Sequence, residues 1–141
     1  MLEAIQKLYD DFFKNIKSYL EENSKYSPYI FKKEPEEKLF PIVIVKELSR
    51  NFRYTTLKHT DLLYYYSLEI NVYAMQKEGI SAMTIADEIT NLIEKYFYDN
   101  YKMRIRVSKN ISNIDKSVIR NLIQINCKID TKYKSKLVLC P

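Results

Sequence analysis

Leu62-Leu63-Tyr64-Tyr65-Tyr66-Ser67-Leu68-Glu69-Ile70-Asn71-Val72-Tyr73-Ala74 is the stretch on which the fold turns. Its even positions, Leu62, Tyr64, Tyr66, Leu68, Ile70, Val72 and Ala74, are all apolar or aromatic, whereas Ser67, Glu69 and Asn71 occupy odd ones. Successive side chains of a strand point to opposite sides, so this period of two predicts a strand with one buried and one wetter face. Leu63, Tyr65 and Tyr73 break the rule on the odd side. Large apolar groups on that side predict that it is partly covered by another element or another subunit.

Upstream, Ile42–Leu48 is a short β-branched run that begins after Pro41, as a buried strand does when its first residue tolerates proline. Residues 49–60, with Arg50, Arg53, Lys58 and His59, are expected to form an exposed loop or hairpin arm. At the N-terminus Leu2, Ile5, Leu8, Phe12, Ile16 and Leu20 recur every three to four residues, which predicts an amphipathic helix fading near Glu22–Asn23. Pro28, Pro35 and the acidic cluster Glu34, Glu36 and Glu37 then break the period, so 23–38 is expected to be an exposed connector.

Downstream, Gly79 marks a turn and Ser81 is a natural N-cap. Ala82, Ile85, Ala86, Ile89, Ile93 and Phe97 form the stripe of a second helix ending about Asp99–Asn100, with Asp87 and Glu88 expected near its positive end. Met103, Ile105 and Val107 alternate with Arg104 and Arg106 as a strand. After a polar turn at Asn110–Lys116, Ile119, Ile123, Ile125, Cys127 and Ile129 mark another, and Leu137–Leu139 could add an edge strand. The order α-β-β-α-β-β, without βαβ alternation, predicts one α+β domain over 1–141: a mostly antiparallel sheet with two helices packed on it.

Composition excludes several functions. A single glycine leaves no room for a phosphate-binding Gly-rich loop or a dinucleotide fingerprint, so no cofactor is expected. The longest apolar runs are too short to span a bilayer, and acidic residues interrupt any signal-like N-terminal run, so an intracellular chain without a membrane partner is expected. Cys127 and Cys140 form no CxxC; Cys127 falls on the apolar parity of its strand, where a free thiol acts as a small hydrophobe, and a disulfide between the two suits a reducing compartment poorly. The net charge of +5 reads as a mild excess spread along the chain.

No catalytic set is evident. His59 is the lone histidine and reads as a surface residue; no metal-ligand spacing is present, and the neighbouring carboxylates Asp10/Asp11 and Asp87/Glu88 point apart on their helices. Asp115 followed by Asp130-Thr131-Lys132 loosely follows the acid-then-DxK spacing of nucleases, in which carboxylates hold a divalent metal and a lysine assists the attacking water. A short pattern of this kind arises readily by chance. Tyrosines beside Arg50 and Arg53 suit either base stacking or a protein interface, and Tyr65, Tyr73, Arg50 and Arg53 are the candidate subunit-interface residues.

Leu68-Glu69-Ile70-Asn71-Val72-Tyr73-Ala74, a turn and Ile85-Ala86-Asp87-Glu88-Ile89 resemble the strand-then-helix centre of phage tail terminator (tail completion) proteins. Asn113-Ile114-Asp115, Arg120 and Ile129-Asp130 are similar to the closing hairpin of that family, and the leading helix and Pro41-Ile42-Val43-Ile44 extend the likeness over most of the chain. The resemblance implies a structural, non-enzymatic subunit of a homo-hexameric ring on the head-proximal end of the tail tube. Implied partners are the ring itself, the tube protein, and the sheath or head connector of contractile tails or phage-tail-like bacteriocins. DNA contact would be at most transient and non-specific. Assembly in the host bacterial cytoplasm, then residence in a virion or tail-like particle, follows. The alternatives are a head–tail joining component and, from another class, a small basic nucleic-acid-binding protein or metal-dependent nuclease.

Overall fold

The computed structural model describes residues 2–54, 62–103, 105–111 and 115–130; for 2–6, 49–54, 62–65 and 127–130 it describes the backbone. The order is α1 (Leu2–Asn23), β1 (Tyr29–Phe31), β2 (Ile42–Tyr54), β3 (Leu62–Ala74), α2 (Ala82–Tyr101), β4 (Arg106–Ser108) and β5 (Ile119–Asp130). The fold is α+β, with one five-stranded sheet in the order β1-β2-β3-β5-β4. Every ladder is antiparallel except β1 with β2. Among the described residues no helix is long and apolar enough to cross a membrane.

The alternation in β3 translates directly into burial. Tyr66, Leu68, Ile70, Val72 and Ala74 are at most 1% exposed and share one core with Val43 and Val45 of β2 and Ile123 and Ile125 of β5. Both helices lie on that face. Ile85, Ile89, Ile93 and Phe97 of α2 and Phe12, Ile16 and Leu20 of α1 close the core. Phe12 holds the layers together, its ring 6.2 Å from Tyr66 and 6.1 and 5.6 Å from Phe97 and Tyr101. Such packing adds to the area term that burial of a large aromatic contributes. The Tyr9 hydroxyl, whose pKa is raised by burial and by the nearby Glu47 and Asp10 charges, donates to the Val45 carbonyl at 2.7 Å and ties α1 to β2.

Local signals account for the element ends. Ser81 accepts from the Thr84 amide and starts α2; Lys102 at φ 52° closes it, its amide donating to the Tyr98 carbonyl. Glu78 and Gly79, both at positive φ, form the two-residue turn between Lys77 and Ile80, where glycine adopts that conformation without strain.

Three expectations are corrected. The 23–38 connector is not an exposed loop throughout, because Tyr29–Phe31 pairs in parallel with Ile42–Ile44 and Ile30 joins the core. Strand β2 does not stop at Leu48 but runs to Tyr54; of the two readings of 49–60, an exposed loop or a hairpin arm, the described 49–54 are a hairpin arm. A bulge absorbs Leu48, which is 53% exposed, and pairing resumes with Ser49 opposite Ser67. Asp87 and Glu88 lie beyond the first turn of α2, where the helix dipole has faded, and make side-chain bonds instead. The proposed Leu137–Leu139 strand lies outside the described residues.

One polar knot is set inside the core. Asn121 is fully buried on the apolar parity of β5; its Nδ2 donates to Thr90 Oγ1 (3.0 Å) and Asp87 Oδ1 (3.1 Å), and its Oδ1 accepts from the Asn110 amide (2.9 Å). Removing it strands buried partners, so Asn121→Ala should cost about 2 kcal/mol in urea unfolding, more than a surface substitution. Glu88 accepts from the Ser24 hydroxyl (3.1 Å); burial raises its pKa, with Ser24 and Lys25 opposing. A raised carboxyl pKa means that the folded state disfavours the ionised form, so this penalty is present at neutral pH and disappears as pH falls through the folded and then the unfolded pKa. Glu88→Gln should therefore shift the urea midpoint upward at neutral pH, and the gain should vanish below about pH 4.

Candidate interface on the open face of the sheet

The sheet face turned away from the helices has two unlike halves. At one end lie Ile42 and Ile44 of β2, Asn71 and Tyr73 of β3, and Arg120 of β5, with Tyr73 opposite Arg120 in register. Ile42 and Ile44 are each 3% exposed yet stand apart from the helix-side core. They are covered by the connector itself. Pro35 and Phe40 close over Ile42, Ile44, Tyr73 and Val118 around a cleft of about 290 Å³, with Glu34, Lys38 and Asp115 at its rim. Glu34 and Lys38 pair across 3.5 Å at that rim, an exposed contact of small energetic weight.

Beneath this cover, Arg120 Nε donates to Asn71 Oδ1 at 2.9 Å, and its guanidinium sits 5.8 Å from the Tyr73 ring centre. Asn71 is 1% exposed, so the arginine satisfies a carbonyl that water cannot reach. The other half begins at the row Lys46–Glu69–Gln124–Arg106, one residue from each of four strands. Lys46 and Arg106 are exposed, and Glu69 and Gln124 half-buried. The next row on this face holds Ser67, whose hydroxyl donates to exposed Asn126 at 2.7 Å. Asn51–Tyr65–Lys128 and then Arg53–Leu63–Asp130 follow in register.

The four candidate interface residues are thus divided. Arg53 and Tyr65 share the open-face parity at one end of the β2–β3 ladder, where Asn51 pairs with Tyr65 and Arg53 with Leu63, whereas Arg50 pairs with Tyr66 and so takes the helix-side parity. Tyr73 lies eight residues along β3, about 27 Å away at strand spacing. The odd-side cover expected over Tyr73 comes from another element of the same chain, the 34–40 segment.

The nuclease constellation does not converge. Asp115 precedes β5 and Asp130 ends it, and the twelve-residue strand between them spans about 35 Å or more, far beyond a shared metal ion. Asp115 has a local role instead: its carboxylate accepts from the Ser117 amide and hydroxyl at 2.9 and 2.6 Å, and these bonds lower its pKa. Lys132 and His59 lie outside the described residues. Asp10 pairs with Lys32, and Asp87 with Asn121 and Lys109. No group of three or more His, Cys, Asp or Glu that could hold a metal occurs among the described residues.

Nor is the positive charge spread evenly. Residues 49–65 and 127–141 carry seven Lys or Arg and two Asp, and the rest of the chain carries sixteen charges of each sign. The whole net charge therefore belongs to these two segments of the sequence, of which 49–54, 62–65 and 127–130 pair at one end of the sheet. The buried Asn121 had a visible signal: a polar residue at an apolar position of β5. The Asn71–Arg120 bond had none, since its partners are 49 residues apart.

No protein-family model matches the chain, and no curated protein is significantly similar to it.

If Arg120 serves Asn71, the two substitutions should not add. Arg120→Ala and Asn71→Ala should each destabilise, and a double-mutant cycle by urea unfolding should give a coupling of about 1 kcal/mol.

Proposed function

We propose that this chain is a structural subunit of a phage tail or phage-tail-like particle. In this reading it closes into a ring, a hexamer by the family likeness, on the head-proximal end of the tail tube and ends tube growth. The observation that carries the reading is that Arg53 and Tyr65 share the open-face parity at one end of the long β2–β3 ladder. Arginine and tyrosine are the residue types that anchor protein interfaces. A second feature supports it. β1 pairs with β2 only at Ile42–Ile44, so among the described residues no strand lies beside Val45–Tyr54 on that side. A long unpaired edge is a natural place for a neighbour to add. A ring requires a heterologous contact that closes by rotation, and among the described residues Ile125–Asp130 of β5 likewise has no strand on its outer side, so the sheet offers two unlike edges to such a contact. The resemblance of Leu68–Ala74 and Ile85–Ile89 to the centre of the tail terminator family selects this assembly over others.

Light scattering after size exclusion, alone and with the cognate tube protein, tests the reading. The expected result is a closed ring near six times the 16.9 kDa subunit mass, or caps on tubes that stop growing, seen by negative stain. A monomer that ignores tubes in every condition overturns it.

A further inference from the structure

Lys46 and Leu48 of β2 meet the start of the connector around a hollow of about 370 Å³, which Tyr9, Lys32, Lys33 and Glu47 also line. We propose that this hollow receives the connector of a second copy, with Glu36 and Glu37 set against Lys33 and Lys46, and Leu39 against Leu48.

The charges of the hollow do not cancel within the chain. Lys32 pairs with Asp10 and lies over the Tyr9 and Phe13 rings, 5.1 and 5.2 Å from their centres. Of the two carboxylates at the hollow, Glu34 pairs with Lys38, and Glu47 accepts from the Tyr66 hydroxyl at 2.9 Å. Lys33 and Lys46 are exposed, and among the described residues neither forms an ion pair; Glu69, opposite Lys46 in register, is no exception. Beside them Leu48, the extra residue of the bulge, is 53% exposed. The matching surface is one that brings carboxylates and an apolar side chain together.

The connector offers that combination. Glu36, Glu37 and Leu39 are all exposed, and neither acid forms an ion pair among the described residues. Nowhere else among those residues do two adjacent exposed acids lie within three positions of an exposed large apolar side chain. The loop is also held ready. Pro35 and Phe40 on either side of it close over Ile42 and Ile44, and Glu34 bridges it to Lys38. A segment fixed at both ends loses little conformational freedom on docking.

The inference rests on the reading that copies of this chain assemble, and it names the segment that the β2 edge receives. Two unlike patches meet, as a ring requires. Each exposed ion pair adds little by itself. Their weight lies in selecting the surface, because like charges brought together repel.

Sedimentation velocity of the full chain, alone and with the cognate tube protein, tests the contact by charge exchange. Lys33→Glu with Lys46→Glu, or Glu36→Lys with Glu37→Lys, should each weaken self-association at least about tenfold. Mixing the two variants, or placing all four substitutions in one chain, should restore it to within about threefold of the parent, because each altered patch again meets its opposite. Leu48→Ser should weaken it several-fold at unchanged salt dependence, because the lost contact is apolar. Lys7→Glu with Lys14→Glu, the same charge change on the exposed side of α1, should stay within about twofold of the parent. Circular dichroism and urea midpoints establish that each variant is folded, and Lys33→Gln with Lys46→Gln replaces the first pair if it is not. Reversals that leave association unchanged, an exchange that fails to restore it, or equal loss from the α1 pair overturns the proposal. A six-copy ring indifferent to the reversals sinks this contact alone. A charge-dependent assembly of another size sinks the ring alone, and a monomer in every condition sinks both.

Discussion

Strand β3 is hydrogen-bonded along its whole length on both sides, to β2 from Leu62 to Tyr73 and to β5 from Leu63 to Ala74. That double ladder is the constraint on which the rest of the structure depends. A central strand satisfies its backbone only in one register, and a slip of one residue would turn Tyr66, Leu68, Ile70 and Val72 out of the core. With β3 fixed, β2 and β5 inherit their registers, and the single core becomes the surface on which both helices must close. The bulge at Leu48 is the one irregularity in the β2 pairing, and it changes the twist of the hairpin without disturbing β3.

The helices are held by different chemistry. α1 is held chiefly through rings, with Phe12 against Tyr66 of β3 and against Phe97 and Tyr101 of α2, and Tyr19 beside Tyr96 of α2. Burial raises the Tyr96 pKa, so its hydroxyl remains protonated in that setting. α2 adds directional bonds. The Asn121 side chain reaches Thr90 and Asp87, and such a satisfied polar knot fixes the orientation of the helix on the sheet where apolar contact alone would let it slide.

On the opposite side, the connector and the sheet divide the work. The 34–40 segment seals the apolar end around Tyr73, which removes that residue from a free surface. Among the described residues no strand pairs with the outer side of Val45–Tyr54 of β2 or of Ile125–Asp130 of β5.

Local pattern by itself determined the α+β class, the two helices, the alternation of β3, the Ser81 cap and the Gly79 turn. These follow from side-chain period and backbone preference within a few residues. Asn121 was not singled out from the sequence, although it breaks the apolar parity of β5, because local pattern does not name its partners. Only the tertiary structure decided that Tyr29–Phe31 is a strand, since three residues carry no readable period and pair only because Ile42–Ile44 lies beside them. Only it carried β2 on to Tyr54, buried Asn71 against Arg120, covered Tyr73 with the connector and set Asp115 and Asp130 at opposite ends of β5. Each of these depends on which residues distant in sequence become neighbours, and local pattern does not encode that adjacency.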